Sequence, residues 1–192
     1  MVHPAPGTPA SRPLSFPLPG ATPVRLLVFL LAVLGSAAAT GQVEWVRPAG
    51  PSRLDGRNQA VLVHDAARGR TVLFGGLSRT PLSEMWAWDG ATWTQVLPAS
   101  TPSARYGHAM AYDAARARVV LFGGHDGSAV LGDTWEWDGT TWAQRSPTNA
   151  PLPRRWHALA YDAARARTVL FAGESPIRGA LSDTWEWDGT GW

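Results

Sequence analysis

The chain repeats itself about every 50 residues, and this repeat limits the fold more than any other feature of the sequence. The phrase W-x-WDG occurs three times, beginning at Trp86, Trp135 and Trp185. An Asp that opens "DAARGR" or "DAARAR" recurs at intervals of 48 and 49 residues, at Asp65, Asp113 and Asp162. Self-similarity at such a period is typical of architectures in which each unit buries its apolar face against the next unit.

Each unit is predicted to form four short strands. In the middle unit "RYGHAMAYD" alternates, with His108, Met110 and Tyr112 on one face and small residues on the other. "RVVLFGG" is continuously apolar, as expected of a strand buried on both faces. "DTWEWDG" alternates again, and "TWAQRSP" is the fourth strand, ended by Pro147.

Turn signals separate these strands. Asp138-Gly139 predicts a hairpin between the third and fourth strands, because Gly tolerates a positive φ. Asp113 is placed to accept backbone N–H groups across the turn that joins the first two strands. The units grow by one residue between their glycines and the first Trp, so this segment is predicted to be a length-tolerant loop.

The order R-x-x-H, YD, VLFGG, L-x-DTWEWDG, W resembles the motif of the kelch-repeat family. The resemblance implies an all-β, kelch-type β-propeller of about three four-stranded antiparallel blades. Its structural motif falls on Gly75, Gly76, Gly123, Gly124, Gly173, Trp93, Trp142 and Trp192. The pattern departs at Ala172, where the first glycine of a pair is expected, and at Ala60 and His64, where the other units have His and Tyr.

The predicted blades span about 57–97, 105–146 and 155–192, within a kelch segment of 43–192. Trp45 stands twelve residues before Arg57, as Trp93 stands before Arg105, so 43–47 is predicted to be an isolated outer strand. Closed propellers have about 4–8 blades, so three blades make an incomplete ring. Three explanations stay open: the chain is a fragment, the outer strand completes the last blade, or two copies associate to complete the ring.

A leader precedes the repeats. Residues 1–23 are rich in Pro, Ala, Ser and Gly and are predicted to be disordered. Arg25, the apolar run from Leu26 to Leu34 and the small residues at 35–39 have the layout of a secretory signal peptide over 24–39. The alternative is an uncleaved membrane anchor, although this segment is shorter than the roughly 20 residues of a spanning helix. The sequence therefore predicts export, with membrane association only if the leader is retained.

Composition limits the chemistry. The chain has no Cys, which excludes disulfides and thiolate chemistry, and it has no Lys. Arg12 and Arg25 of the leader account for the net charge of +2, so the repeats are neutral and nucleic-acid binding is not expected. We predict no cofactor, no metal site and no catalytic residues. Galactose oxidase, a kelch-type enzyme, uses a modified cysteine at a copper centre, and this chain has no equivalent.

Aromatic residues and histidines are mostly predicted to be structural. Nine of the 11 Trp residues occupy repeating positions, which favours packing over carbohydrate stacking. Trp156 is the exception, because its counterparts are Gly107 and Gln59, and it is a candidate ligand contact. His108 and His157 match each other, but without further ligands nearby we favour structural hydrogen bonding over a metal.

The resemblance places the working surface at the loops after the second and fourth strands of each blade. Arg57, Arg105 and Arg154 begin successive inner strands, and they either line an anion-friendly central opening or bond loop carbonyls. Variable loop positions are candidates for specificity. The candidate binding residues are thus Arg57, Arg105, Arg154, Trp156, His125, Asp126, Glu174 and Arg178.

These observations predict an exported, bacterial-type kelch-repeat module that binds a protein or glycan and does not catalyse a reaction. One alternative is a carbohydrate-active enzyme, such as a sugar-acid epimerase or mutarotase, with Arg105 or Arg154 binding a carboxylate. Another is a non-functional remnant of a larger propeller.

Overall fold

The computed structural model describes residues 54–192, and this part of the chain is all-β, as predicted. The leader, the signal-like segment and the predicted outer strand at 43–47 lie outside the described residues. Within 54–192 we find no helix with the length and hydropathy needed to cross a membrane.

The strands form three consecutive antiparallel sheets, which we call blades 1 to 3. Blade 1 contains β1 Val61–Asp65, β2 Arg70–Phe74, β3 Met85–Trp88 and β4 Trp93–Val96. Blade 2 contains β5 Ala109–Asp113, β6 Arg118–His125, β7 Val130–Trp137 and β8 Trp142–Arg145. Blade 3 contains β9 Ala158–Asp162, β10 Arg167–Phe171 and β13 Thr184–Trp187, together with a small hairpin of β11 Glu174–Ser175 and β12 Gly179–Ala180. Trp192 lies outside any strand, so blade 3 has no fourth strand within the described residues.

Both predicted turns are confirmed. Asp113 accepts a hydrogen bond from the Arg116 backbone N–H at 3.1 Å across the β5–β6 turn. At the β7–β8 hairpin, one carboxylate oxygen of Asp138 accepts the backbone N–H groups of Thr140 and Thr141, both at 2.8 Å. Gly139 has a φ of 100°, a conformation that L residues with a side chain rarely adopt.

The blades stack through their first strands and through aromatic contacts. β1 packs on β5, and β5 packs on β9. The ring of Phe74 meets His108 edge-on with centroids 5.7 Å apart, and Phe122 meets His157 in the same way at 5.6 Å. Each Phe of an "LFGG" phrase is therefore covered by the next blade.

The alternation in β5 is one of size rather than of burial. Met110 is buried on one face, and Ala109 and Ala111 on the opposite face are buried as well. Blade 2 lies between two neighbours, which cover both of its faces. Ala158 and Ala160 occupy the matching positions in β9 and are exposed, because no described residue covers that side of blade 3.

The segment after the double glycine varies in structure as well as in length. In blade 2, β7 begins at Val130, three residues before the predicted start, because His125 pairs with Val130 and extends the ladder. In blade 3 the β11–β12 hairpin occupies this place. The predicted tolerance to changes in length is confirmed.

Close approach of the next blade explains the first glycine of each pair. Gly123 has a φ of 62°, and a Cβ there would lie 2.5 Å from the Arg154 carbonyl oxygen. At Gly75 the corresponding distance to the Arg105 carbonyl oxygen is 2.6 Å. Ala172 keeps the same φ, 61°, in blade 3, where no described blade follows to obstruct its methyl group. The departure at Ala172 therefore has a steric reason.

Candidate interaction face

A row of three cross-strand bridges organises the face formed by the loops after the second and fourth strands, which we call the loop face. In each blade the residue after the first-strand Arg pairs with the residue after the glycine pair. The bridges are Asn58–Leu77, Tyr106–His125 and Arg155–Glu174. The backbone pairing repeats while the side chains differ, which is the arrangement expected of a recognition surface on a fixed scaffold.

A groove of about 440 Å³ opens on the loop face between blades 2 and 3. Its walls come from the β6–β7 loop, from Arg155 at the entry to β9 and from the β11–β12 hairpin. The lining residues are His125, Ser128, Ala129, Val130, Arg155, Glu174 and Pro176. The groove therefore combines a cation, a carboxylate, an imidazole and apolar surface.

Arg155 is loosely held at the centre of this groove. One terminal nitrogen of its guanidinium lies 3.4 Å from each carboxylate oxygen of Glu174, longer than a strong charge-assisted bond. The guanidinium carbon lies 3.9 Å from the ring centroid of Trp156, in a cation–π contact. The ring of His125, which also lines the groove, contacts the ring of Tyr106 with centroids 5.3 Å apart and planes tilted by 35°.

Trp156 lies beside the groove in an unusual backbone conformation. Its φ is 59°, and Gln59 and Gly107, the matching residues of the other blades, have φ values of 53° and 62°. The Trp156 backbone N–H donates to the Gly107 carbonyl at 2.7 Å, and its indole N–H donates to the side-chain oxygen of Gln59 at 2.9 Å. The indole crosses Gly107, where a Cβ would lie 2.9 Å from the ring, and stays 53% exposed.

A left-handed φ disfavours residues with a Cβ by about 1–2 kcal/mol, so holding Trp in this conformation needs support from its surroundings. The two hydrogen bonds and the missing side chain at Gly107 provide that support. The structure thus holds the exposed aromatic ring of Trp156 beside the groove.

The recurring arginines take the second of their two predicted roles. Arg105 is fully buried and forms a two-pronged ion pair with Asp133 at 2.7 and 2.8 Å, while it also donates to the Gly123 carbonyl. Arg154 makes the same pair with Asp183 at 2.7 and 2.8 Å and donates to the Ala172 carbonyl. Arg57 pairs with Glu84 at 2.6 Å, and its side chain is almost completely buried.

The prediction that these arginines line an anion-binding opening is therefore wrong, because their guanidinium groups are buried in internal pairs. Burial opposes ionisation of Asp133, but the hydrogen bond and charge of Arg105 outweigh it and lower the pKa of Asp133. The hydrogen bond from Arg154 likewise lowers the pKa of Asp183 to about 2. The hypothesis of a sugar-acid enzyme required Arg105 or Arg154 to bind a substrate carboxylate, and both are paired with internal carboxylates instead.

The loop candidates fall into two groups. His125 and Glu174 line the groove. Asp126 instead holds the β6–β7 loop, since one carboxylate oxygen accepts the backbone N–H groups of Ala129 at 2.7 Å and Ser128 at 2.8 Å. These bonds lower its pKa to about 2. Arg178 lies in the β11–β12 turn and is not part of the groove lining.

Arg155, which lines the groove, and Tyr106, which contacts His125, were not among the sequence candidates. Each directly follows a recurring arginine, at a position that reads Asn58, Tyr106 and Arg155 in successive blades. This variation next to an invariant residue is the signal that could have identified them.

The structural hydrogen bonding predicted for His108 and His157 is not found, because none of their buried ring nitrogens has a hydrogen-bond partner among residues 54–192. Burial, and then the charges of Arg105 and His157, lower the pKa of His108 to about 3. Burial and the charge of Arg154 lower that of His157 to about 4. Both rings are neutral aromatic packing elements, and no group of three or more potential metal ligands occurs among residues 54–192.

Repeated antiparallel sheets that stack through their first strands, with a double glycine where the next blade approaches, define a β-propeller of the kelch type. A family model described as the KLHDC2/KLHL20/DRC7 Kelch-repeats domain matches residues 37–192, and the chain belongs to this kelch-repeat family. No curated protein gave a match to the sequence. Kelch domains generally mediate protein interactions, so the chain is an interaction module in this general sense.

Proposed function

We propose that the protein is an exported, non-catalytic module that binds a protein partner in the groove between blades 2 and 3. The observation that carries this proposal is the cluster of Arg155, Glu174 and half-exposed Trp156 at one edge of the loop face. Trp, Tyr and Arg dominate the binding energy of protein interfaces, and here they are presented by a repeated backbone framework.

The loose pair of Arg155 and Glu174 supports a partner that carries charges of its own. A side chain pair at 3.4 Å can be exchanged for pairs with a partner at little cost, because the internal contact is weak. The groove thus offers Arg155 to an acidic group of the partner and Glu174 to a basic group. The partner can present these groups on a folded surface or on an extended segment.

The geometry favours a protein over a glycan. Sugar rings bind to indoles by stacking on the ring face, and one face of Trp156 is covered by the Arg155 guanidinium at 3.9 Å. The indole N–H is also used, since it donates to Gln59. A protein side chain can instead pack against the exposed ring edge and the arginine together.

Site-specific photo-crosslinking tests this proposal. A photoreactive amino acid at Ser128, in the groove, is compared with one at Ala163, in the exposed β9–β10 turn at the opposite end of blade 3. We expect a discrete crosslinked protein from Ser128 only, lost in a Trp156→Ala variant. Equal crosslinking from both positions, or a product unaffected by Trp156→Ala, argues against the groove as the binding site.

Export is part of the same proposal and rests on the charged, apolar and small-residue order of 24–39. We expect the protein to be recovered outside the cytoplasm of its host, with a new N-terminus directly after the Ala37–Ala39 region. Recovery in the cytoplasm with an intact leader would contradict it.

A further inference from the structure

One repeat position, just before the first strand of each blade, holds three different residues that contact one another. They are Gln59 in blade 1, Gly107 in blade 2 and Trp156 in blade 3, with φ values of 53°, 62° and 59°. The Trp156 backbone N–H donates to the Gly107 carbonyl at 2.7 Å, and the Gly107 N–H donates to the Gln59 carbonyl at 3.4 Å. A chain of backbone hydrogen bonds therefore links the three blades at this position.

The side chain of Trp156 follows the same path as these backbone hydrogen bonds. Its ring crosses Gly107, where a Cβ would lie 2.9 Å from both the Cδ1 and the Nε1 atom of the indole. Beyond Gly107, the indole N–H donates to Oε1 of Gln59 at 2.9 Å, across 97 positions of sequence. Blade 2 thus contributes the space, and blade 1 the acceptor, for an aromatic ring of blade 3.

The Gln59 side chain has the orientation that this hydrogen bond needs. Its amide nitrogen lies 3.4 Å from the Oδ1 atom of Asn58, which leaves the amide oxygen for the indole. An indole N–H can only donate, and an amide NH₂ group cannot accept, so the opposite amide orientation would break the contact. The backbone of Asn58 is itself held by its bridge to Leu77.

The Trp156 ring in turn supports the cation of the groove. The guanidinium carbon of Arg155 lies 3.9 Å from the ring centroid. Within residues 54–192, its hydrogen-bond acceptors are the Glu174 carboxylate oxygens at 3.4 Å, and its buried Nε atom has no partner. Since the pair with Glu174 is weak, the place of the guanidinium depends on where the Trp156 ring lies.

We propose that Gln59 of blade 1 is a positioning residue of the groove between blades 2 and 3. It fixes the Trp156 ring through the indole hydrogen bond, and the ring fixes the guanidinium of Arg155. This inference rests on the proposed function, because it gives Gln59 a part in binding a partner at that same groove. Preorganised side chains bind with a smaller loss of entropy, so removing the acceptor should weaken binding while every groove residue stays in place.

Three substitutions separate the acceptor oxygen from the other properties of this side chain. Gln59→Leu removes the acceptor and keeps a side chain that is unbranched at Cβ, as a positive φ requires. Gln59→Glu keeps an oxygen in the same place. Gln95→Leu is the matched control, because it makes the same change at an exposed glutamine of blade 1, in β4.

Exchange of the indole proton with water, followed by proton–nitrogen correlation NMR of the full chain, tests the first step without a partner. The Trp156 signal is identified by its absence in Trp156→Phe, and the other indole signals show whether each variant keeps its fold. We expect exchange to be faster by about fivefold or more in Gln59→Leu, and to stay within about twofold of the parent in Gln59→Glu and Gln95→Leu. Unchanged exchange in Gln59→Leu overturns the proposal.

Crosslinking by the photoreactive amino acid at Ser128 tests the second step. The yield of the crosslinked product should fall by about threefold or more in Gln59→Leu and return to the parental yield in Gln59→Glu. An unchanged yield in Gln59→Leu, or an equal loss in Gln59→Glu or Gln95→Leu, overturns the positioning role. If the parental chain gives no product, the proposed function has failed, and the indole exchange alone decides whether Gln59 positions Trp156.

Discussion

The same WEWDG phrase places a glutamate in two different environments, and this difference allows a sharp test of the blade arrangement. Glu136 of blade 2 is buried beneath blade 3 and pairs with Arg116 at 2.6 Å and Arg145 at 2.9 Å. It also accepts the Trp187 indole N–H. Glu186 of blade 3 pairs with Arg165 at 2.5 Å, with both side chains substantially exposed.

Replacing each glutamate with glutamine removes the charge and keeps the shape. Breaking a buried ion pair costs about 3–5 kcal/mol, whereas an exposed pair contributes about 0–1 kcal/mol. The side chains of Arg116 and Arg145 are 30% and 43% exposed, so water partly compensates for their lost partner. We therefore expect Glu136→Gln to lower the free energy of unfolding by about 2–3 kcal/mol and Glu186→Gln by less than about 1 kcal/mol.

Urea unfolding followed by circular dichroism measures both values. Both substitutions are made singly in the otherwise unchanged chain. Equal destabilisation by the two variants would refute the reasoning, because it would mean that blade 3 does not cover Glu136 as described.

Two further predictions concern stability. The lowered pKa values of His108 and His157 mean that the unfolded chain binds protons near pH 6.5 while the folded chain does not. Stability should thus be fully present above pH 6.5 and fall by about 1.4 kcal/mol per pH unit per histidine, down to about pH 4 for His157 and about pH 3 for His108, and His108→Phe should reduce this slope in urea unfolding. Ala117 has a φ of 51° where blade 1 has Gly69, so Ala117→Gly should raise the unfolding free energy by up to about 1 kcal/mol in the same assay. Gly69→Ala should lower it by a similar amount. A loss of stability in Ala117→Gly, or a gain in Gly69→Ala, would contradict the strain argument.

The strands and their order could be predicted from the sequence, because periodicity and turn chemistry are local properties. The alternation of "DTWEWDG" and the glycine after Asp138 fix a strand and a hairpin without any knowledge of distant residues. Stacking of the blades followed from the repeat itself, since one unit cannot bury two apolar faces alone.

The roles of the charged residues depended on partners far away in the sequence. Arg105 is buried because strand pairing brings Asp133, 28 residues away, to its guanidinium. Sequence alone could not choose between this internal pair and an open channel. The groove could not be predicted from the sequence for a similar reason, since Arg155 and Glu174 are brought together only by a cross-strand bridge in blade 3.

Protein binding by the loop face is proposed to take place in the groove between blades 2 and 3. Its most direct test is the dissociation constant of the crosslinked partner, measured for Arg155→Ala and Trp156→Ala and, as a control, for Arg165→Ala at the opposite end of blade 3. We expect at least tenfold weaker binding, about 1.4 kcal/mol, for each groove variant and no change for the control. Unchanged binding by the groove variants, or an equal loss in Arg165→Ala, would contradict it.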